Sequence, residues 1–192
     1  MKHIFVILLS LTLVVLPTFA QETNLREDCV TDYEPDVDYL PEKIDLQDAQ
    51  NFSVEYHNHY KVVTVTDAFD SAEPFTYVLV QCGTPAPSTG DFPDDTQFID
   101  VPTGNIIAMS TTQLPSLVQL DLLDNLVGLD SLANVNTPEV QALIESGELI
   151  EVGADATVNV EAVLNAEPDI VMTFAYNPDT SAHPILIDAG IF

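Results

Sequence analysis

Positive charge is almost missing from this chain. Four Lys and Arg stand against 31 Asp and Glu, a formal net charge of −27. Such a surface repels nucleic acid and anionic lipid head groups, which excludes both as partners. Neutral or cationic ligands remain, as do large complexes whose own field is weak. Solubility in salty, extracellular surroundings accounts for the charge equally well. The carboxylates are scattered rather than massed in one tail, so by themselves they do not argue for disorder. Catalytic signatures are missing too: there is no Gly-rich phosphate loop, no nucleophile elbow and no paired-histidine zinc motif. The expectation is therefore a protein that is not an enzyme. Tryptophan is absent, which leaves six tyrosines as the intrinsic fluorophores.

A long apolar run is missing as well. The stretch Ile4 to Leu16 is too short for a comfortable membrane span. Lys2 and His3 precede it, Pro17 breaks it, and Thr18-Phe19-Ala20 resembles a cleavage site, which together describe a signal peptide over 1–20. An uncleaved anchor is the competing reading. No cysteine sits at the cut, so a lipoprotein anchor is not supported. The expected location is periplasmic or extracellular.

Only two cysteines occur, Cys29 and Cys82. In an oxidising compartment an even pair reads as one disulfide. It would tie the N-terminal tail to the strand containing Val78-Leu79-Val80, stabilising by roughly 3–5 kcal/mol in the chain-entropy model. Two lone cysteines lack the spacing of a zinc site.

Residues 21–50 are acidic, poor in glycine and broken by Pro35 and Pro41, which reads as an extended lead-in. Three strand-like runs follow, at Phe52–Tyr56, Tyr60–Thr66 and Phe75–Val80, and suggest an antiparallel meander. Phe98–Val101 reads as a further short strand after a Pro- and Gly-bearing loop. His57 and His59 are two apart and on a strand would share a face, with Glu55 beside them. Two histidines and one carboxylate fall short of a metal site, and no metal ligand is assigned.

From Asn105 to Phe174 one pattern runs three times: an apolar strand, a few small polar residues, then a helix. Its strands are Ile106–Met109, Leu126–Leu129 and Ile170–Phe174, with Leu149–Val152 as a fourth. Helices are expected over about Gln113–Leu123 with Thr112 as cap, over Pro138–Ser146 between Thr137 and Gly147, after Asn159, and over Ala182–Ala189 before Gly190. Alternating strands and helices imply a parallel sheet, which binds ligands at the carboxyl ends of its strands. The fold class is thus α/β: a Rossmann-like parallel-sheet lobe over 105–192, preceded by an acidic antiparallel β extension over 21–104. Because Ile191-Phe192 reads as the opening of another strand, a further C-terminal half is expected beyond this sequence.

The order Ile106-Ile107-Ala108-Met109-Ser110, Leu126-Val127-Gly128-Leu129-Asp130, Glu151-Val152-Gly153 and Asn159-Val160-Glu161-Ala162-Val163-Leu164, followed by Glu167-Pro168-Asp169-Ile170-Val171, resembles the N-terminal lobe of periplasmic substrate-binding proteins of ABC importers. The similar group carries ferric siderophores and cobalamin. The resemblance covers a little under half of the chain. It implies an interlobe cleft, small lobe closure about a long linking helix, a metal chelate or cobalamin-like ligand, and an ABC permease in the membrane as partner. No resident cofactor is implied.

Loops after parallel strands gather along one edge, where helix starts present unpaired N–H groups. Ser110, Thr111 and Thr112 after the first strand, Asp130 and Ser131 after the second, Asp155 after Val152, and Phe174, Tyr176 and Asn177 after the last are the candidate ligand-binding residues. Ser110, Thr112 and Thr157 would serve equally well as helix caps. Two other functional classes stay open: an exported acidic interaction module in which the α/β lobe is a scaffold, and an extracellular hydrolase with its active site elsewhere.

Overall fold

The computed structural model describes residues 23–66, 74–154, 157–173 and 183–191, so the export segment at 1–20 lies outside the described residues. Two four-stranded sheets organise them. The first has the order β1-β2-β3-β4, from Phe52–Tyr56, Tyr60–Val65, Phe75–Gln81 and Gln97–Val101. β1, β2 and β3 are antiparallel neighbours, as the alternating and β-branched runs predict. β4 departs from that pattern and lies parallel to β3, with Tyr77 opposite Gln97 and Gln81 opposite Val101. A parallel partner needs a long crossover, and the stretch 82–96 supplies it without a full helix. The extension is therefore a mixed sheet.

Its lead-in is pinned across one end of this sheet. The Cys29–Cys82 disulfide is formed, with 4.9 Å between the Cα atoms. Val30 N–H donates to the Cys82 carbonyl at 2.9 Å. Gly83, at φ +79°, lets the chain pass so close that a Cβ there would sit 2.0 Å from the Val30 oxygen. Farther along, Tyr39 N–H donates to the Asn58 carbonyl, the Asn58 amide donates to the Pro35 carbonyl, and Ile44 N–H donates to the Tyr56 hydroxyl. The lead-in thus acts as a strap from the end of β3 to the turn between β1 and β2. Tyr39 and Leu40 are its buried anchors.

The second sheet has the order β10-β5-β6-β7, from Ile170–Met172, Ile106–Ala108, Leu126–Leu129 and Ile150–Glu151, and every pair is parallel. Successive residues of β5 enter opposite cores. Ile106 and Ala108 pack with Leu114 and Leu117 of α1 (Leu114–Gln119) and Val140 of α2 (Pro138–Ser146). Ile107 and Met109 pack with Val163 of α3 (Val160–Asn165) and Leu186 of α4 (His183–Asp188). Burial on both faces is why these strands read as unbroken apolar runs. Gly128 sits where a Cβ would meet Ile107, Ile150 and Val152 side chains at 3.2–3.3 Å, so the centre of the sheet has no room for one.

Local departures from the sequence reading have local causes. α1 is shorter than expected, because Asp121 adopts a left-handed conformation (φ 58°) that stops the helix and returns Leu122 and Leu123 to the core. Thr112 does not cap it. A turn over Thr111–Gln113 comes first, and Ser110 caps that turn. Thr137 stands at the start of α2 without a side-chain cap bond, while Gly147 (φ 79°) ends the helix as expected. Asn159 caps α3 through Ala162 N–H. On α3 only Val163 is deeply buried, and Leu164 is 52% exposed. β7 is shorter than Leu149–Val152, and an unanticipated hairpin, β8 (Gly153–Ala154) with β9 (Thr157–Val158), leads into α3.

Candidate functional site

Strand order fixes where a site can form. The chain steps outward from β5 to β6 and β7, then returns to place β10 on the other side of β5. Elements after β5 and β6 pack on one face of the sheet, and those around β10 on the other. The switch point beside which doubly wound sheets bind ligands therefore falls at the carboxyl ends of β5 and β10.

A cavity of about 160 Å³ lies at these carboxyl ends. Its lining joins Met109, Ser110 and Thr111 after β5 to Asp130, Ser131 and Asn134 after β6. Four of the residues expected from the sequence, Ser110, Thr111, Asp130 and Ser131, thus come together around one space. Thr112 does not line it; its hydroxyl sits 2.9 Å from the Ser110 oxygen and works within the loop. Asp155, Phe174, Tyr176 and Asn177 lie outside the described residues. Asn134 was not anticipated, because Leu132-Ala133-Asn134 carries no periodic signal and reaches the cavity only through a single turn after β6.

The loops are held by their own side chains. Ser110 and Gln113 form a reciprocal cap: Thr112 N–H donates to Ser110 Oγ at 3.3 Å, and Ser110 N–H donates to Gln113 Oε1 at 3.2 Å. Gln113 also donates through Nε2 to the Thr173 carbonyl at 3.1 Å, joining the loops after β5 and β10. Met109 N–H donates to the Met172 carbonyl just below. After β6, Leu132 N–H donates to Glu151 Oε2 at 2.8 Å. Glu151, at the end of β7, thereby caps a turn that Ser131 leaves without a side-chain cap. Asp130 is half-buried, and its backbone is fixed on both sides, with its N–H on the Ala108 carbonyl and its carbonyl receiving Gly153 N–H.

The opposite end of the sheet shows what the Glu-Pro-Asp segment does. Asp169 accepts from Gly104 N–H at 2.6 Å and from Asn105 N–H at 3.0 Å, anchoring the entry to β5 beside the start of β10. Those residues shape the lobe rather than the cavity.

His57 and His59 are not strand neighbours. They occupy the turn between β1 and β2, where His57 stacks on Tyr60 (centroids 4.1 Å apart) and lies 3.3 Å from Glu55. His59 meets Tyr33 and Tyr60 edge-on, with Nδ1 3.3 Å from the Tyr33 hydroxyl. Burial is the main cause that holds the His59 ring below its ordinary pKa; a bond to the Pro85 backbone opposes it and the neighbouring His57 adds to it. Among the described residues, no group of three or more His, Cys, Asp or Glu is placed to hold a metal ion. Likewise, no helix among them is long and apolar enough to cross a membrane.

No model of a known protein family matches this chain, and no curated protein matches it.

Proposed function

We propose that the chain is an exported solute-binding component of an ABC importer, whose α/β lobe forms one wall of a ligand cleft. The observation that carries the reading is the convergence of Ser110, Thr111, Asp130, Ser131 and Asn134 around one cavity at the carboxyl ends of a doubly wound parallel sheet. Hydroxyl, amide and carboxylate groups of this kind suit an oxygen-rich ligand such as a ferric chelate, or a cobalamin-like one. The cavity is smaller than the roughly 300–1,000 Å³ of an ordinary small-molecule site, as befits a wall that grips one edge of its ligand. Binding and handing on a ligand needs no acid–base pair. The disulfide agrees with folding in an oxidising compartment, which the signal-like N-terminus would reach.

A direct test titrates the full chain with a ferric trihydroxamate, haem and cobalamin, following tyrosine emission and calorimetric heat. Saturable binding of at least one is expected. Ser131→Ala combined with Asn134→Ala should weaken it about tenfold, the worth of one or two hydrogen bonds. Silence across the whole panel would remove the reading.

A second reading is favoured by one feature of the first sheet. An open groove of about 420 Å³, lined by Pro35, Tyr56, His57, Asn58, His59 and Tyr60, lies where the strap meets the β1–β2 turn. On this view the acidic β extension is an exported interaction module and the α/β lobe its scaffold. Loss of partner capture on Tyr56→Ala, with chelate binding absent, is its expected signature.

A further inference from the structure

Resting on the solute-binding reading, we propose that the cleft of this lobe selects neutral or cationic ligands and rejects anionic ones, with Glu151 as a specificity-determining residue. Three independent observations carry this.

The first is composition by region. Residues 105–192 contain thirteen Asp and Glu and not one Lys or Arg; His183 is the single side chain there that could carry positive charge. All four basic residues of the chain lie before residue 62, at Lys2, Arg26, Lys43 and Lys61. Arg26 pairs with Glu42 at 3.6 Å, and Lys43 pairs with Asp38 at 2.6 Å. Apart from His183, the lobe therefore has no side chain of its own with which to grip a carboxylate, catecholate or phosphate by charge.

The second is the state of the backbone donors. Parallel sheets lacking a basic residue still bind anions when loop amides point freely at the ligand. Here three of the loop amides are already engaged. Ser110 N–H is taken by Gln113 Oε1, Thr112 N–H by Ser110 Oγ, and Leu132 N–H by the Glu151 carboxylate. Glu151 occupies the amide that opens the turn after β6, one residue from Ser131 of the lining, so an anion approaching that turn meets both a filled donor and a like charge.

The third is the lining itself. Asp130 brings a carboxylate to the cavity, and Ser110, Thr111, Ser131 and Asn134 bring groups that both give and accept hydrogen bonds. Such a surface receives a hydroxyl, amide or ammonium group well. Like charges brought together in a half-buried cleft repel strongly enough to dominate ligand choice.

The test compares three ferric chelates of similar size on the full chain: a neutral trihydroxamate, a monocationic trihydroxamate and a trianionic tris-catecholate. Each is titrated calorimetrically at low and high salt. The neutral and cationic chelates should bind, the cationic one more weakly as salt rises, and the anionic one at least about a hundredfold more weakly than the neutral one. Glu151→Gln keeps an oxygen for Leu132 N–H but removes the charge. It should raise affinity for the tris-catecholate several-fold and leave the neutral chelate within about twofold. Binding of the tris-catecholate as tight as the neutral chelate, or a Glu151→Gln variant that shifts all three alike, overturns the selectivity while the solute-binding reading stands. Binding of none of the three overturns the selectivity, and the solute-binding reading then stands or falls on haem and cobalamin.

Discussion

The two sheets reach stability by different routes. The parallel sheet is sandwiched: Ile107, Leu114, Val140, Val152 and Val163 are completely buried, and both faces of β5 are covered by helices. In the first sheet, β1 and β2 contain no fully buried residue, and deep burial falls on Val78, Val80 and Ile99 of β3 and β4. What that sheet lacks in core it gains from a strap: one disulfide, the Tyr33–Tyr39–His59 aromatic contacts, and backbone bonds to the β1–β2 turn. One region is thus held by apolar area and the other by a covalent tie with polar and aromatic clasps. The difference teaches where each will fail. Reductant and acid threaten the strapped sheet, and cavities threaten the parallel one.

The sharpest break in this comparison is reduction. Cys82→Ser, or a reducing buffer, frees a loop spanning 53 residues in sequence. The expected loss is about 4 kcal/mol for the unit that the strap closes. Amide hydrogen exchange should show residues 52–65 losing protection by about a thousandfold, while 106–108 and 126–129 keep theirs. Equal loss in both sheets would mean that they unfold as one unit and that the contrast is only geometric.

The mirror-image experiment is Ile107→Ala. This side chain is fully buried at the heart of the parallel sheet and lies against Gly128, the residue that lets β6 approach. Removing it should cost about 3 kcal/mol, the transfer term plus an unfilled cavity. The loss should appear in protection of β5, β6 and β10 and leave the strapped sheet untouched. A loss well under 1 kcal/mol would show that the lobe core collapses freely around the gap.

The same contrast explains how much could be read from the sequence. In the parallel lobe, burial on both faces writes itself as runs such as Ile106-Ile107-Ala108-Met109, and Pro138 and Gly147 mark a helix through backbone chemistry alone. The strands and their parallel pairing were therefore legible, and Ser110, Thr111, Asp130 and Ser131 lie around one cavity at the carboxyl ends. The parallel pairing of β4 with β3 was not, because a short β-branched strand carries no sign of its partner's direction. The role of Glu151 was equally hidden. It acts across two strands on the amide of Leu132, and a contact fixed by sheet register leaves no local pattern. His57 and His59 lie at strand ends, where the chain turns between them, so their spacing by two does not put them on one face.

The smallest expected effect concerns the clasp at His59. Burial against Tyr33 and Tyr60 lowers its pKa from the ordinary histidine value, so the folded state prefers the neutral ring. The unfolded chain therefore takes up the proton first. Stability supplied by this site is complete above about pH 6.5 and is lost as pH falls below that toward the depressed folded-state value. The carboxylates act in the other direction. At a net charge of −27, any loss of negative charge at lower pH relieves repulsion. A pH series of urea midpoints for the strapped sheet should thus fall as pH drops below about 6.5, and His59→Gln should flatten that fall while the slope at lower pH stays as it was. An unchanged fall in that variant would assign the acid sensitivity elsewhere and leave the strap resting on its disulfide and backbone bonds alone.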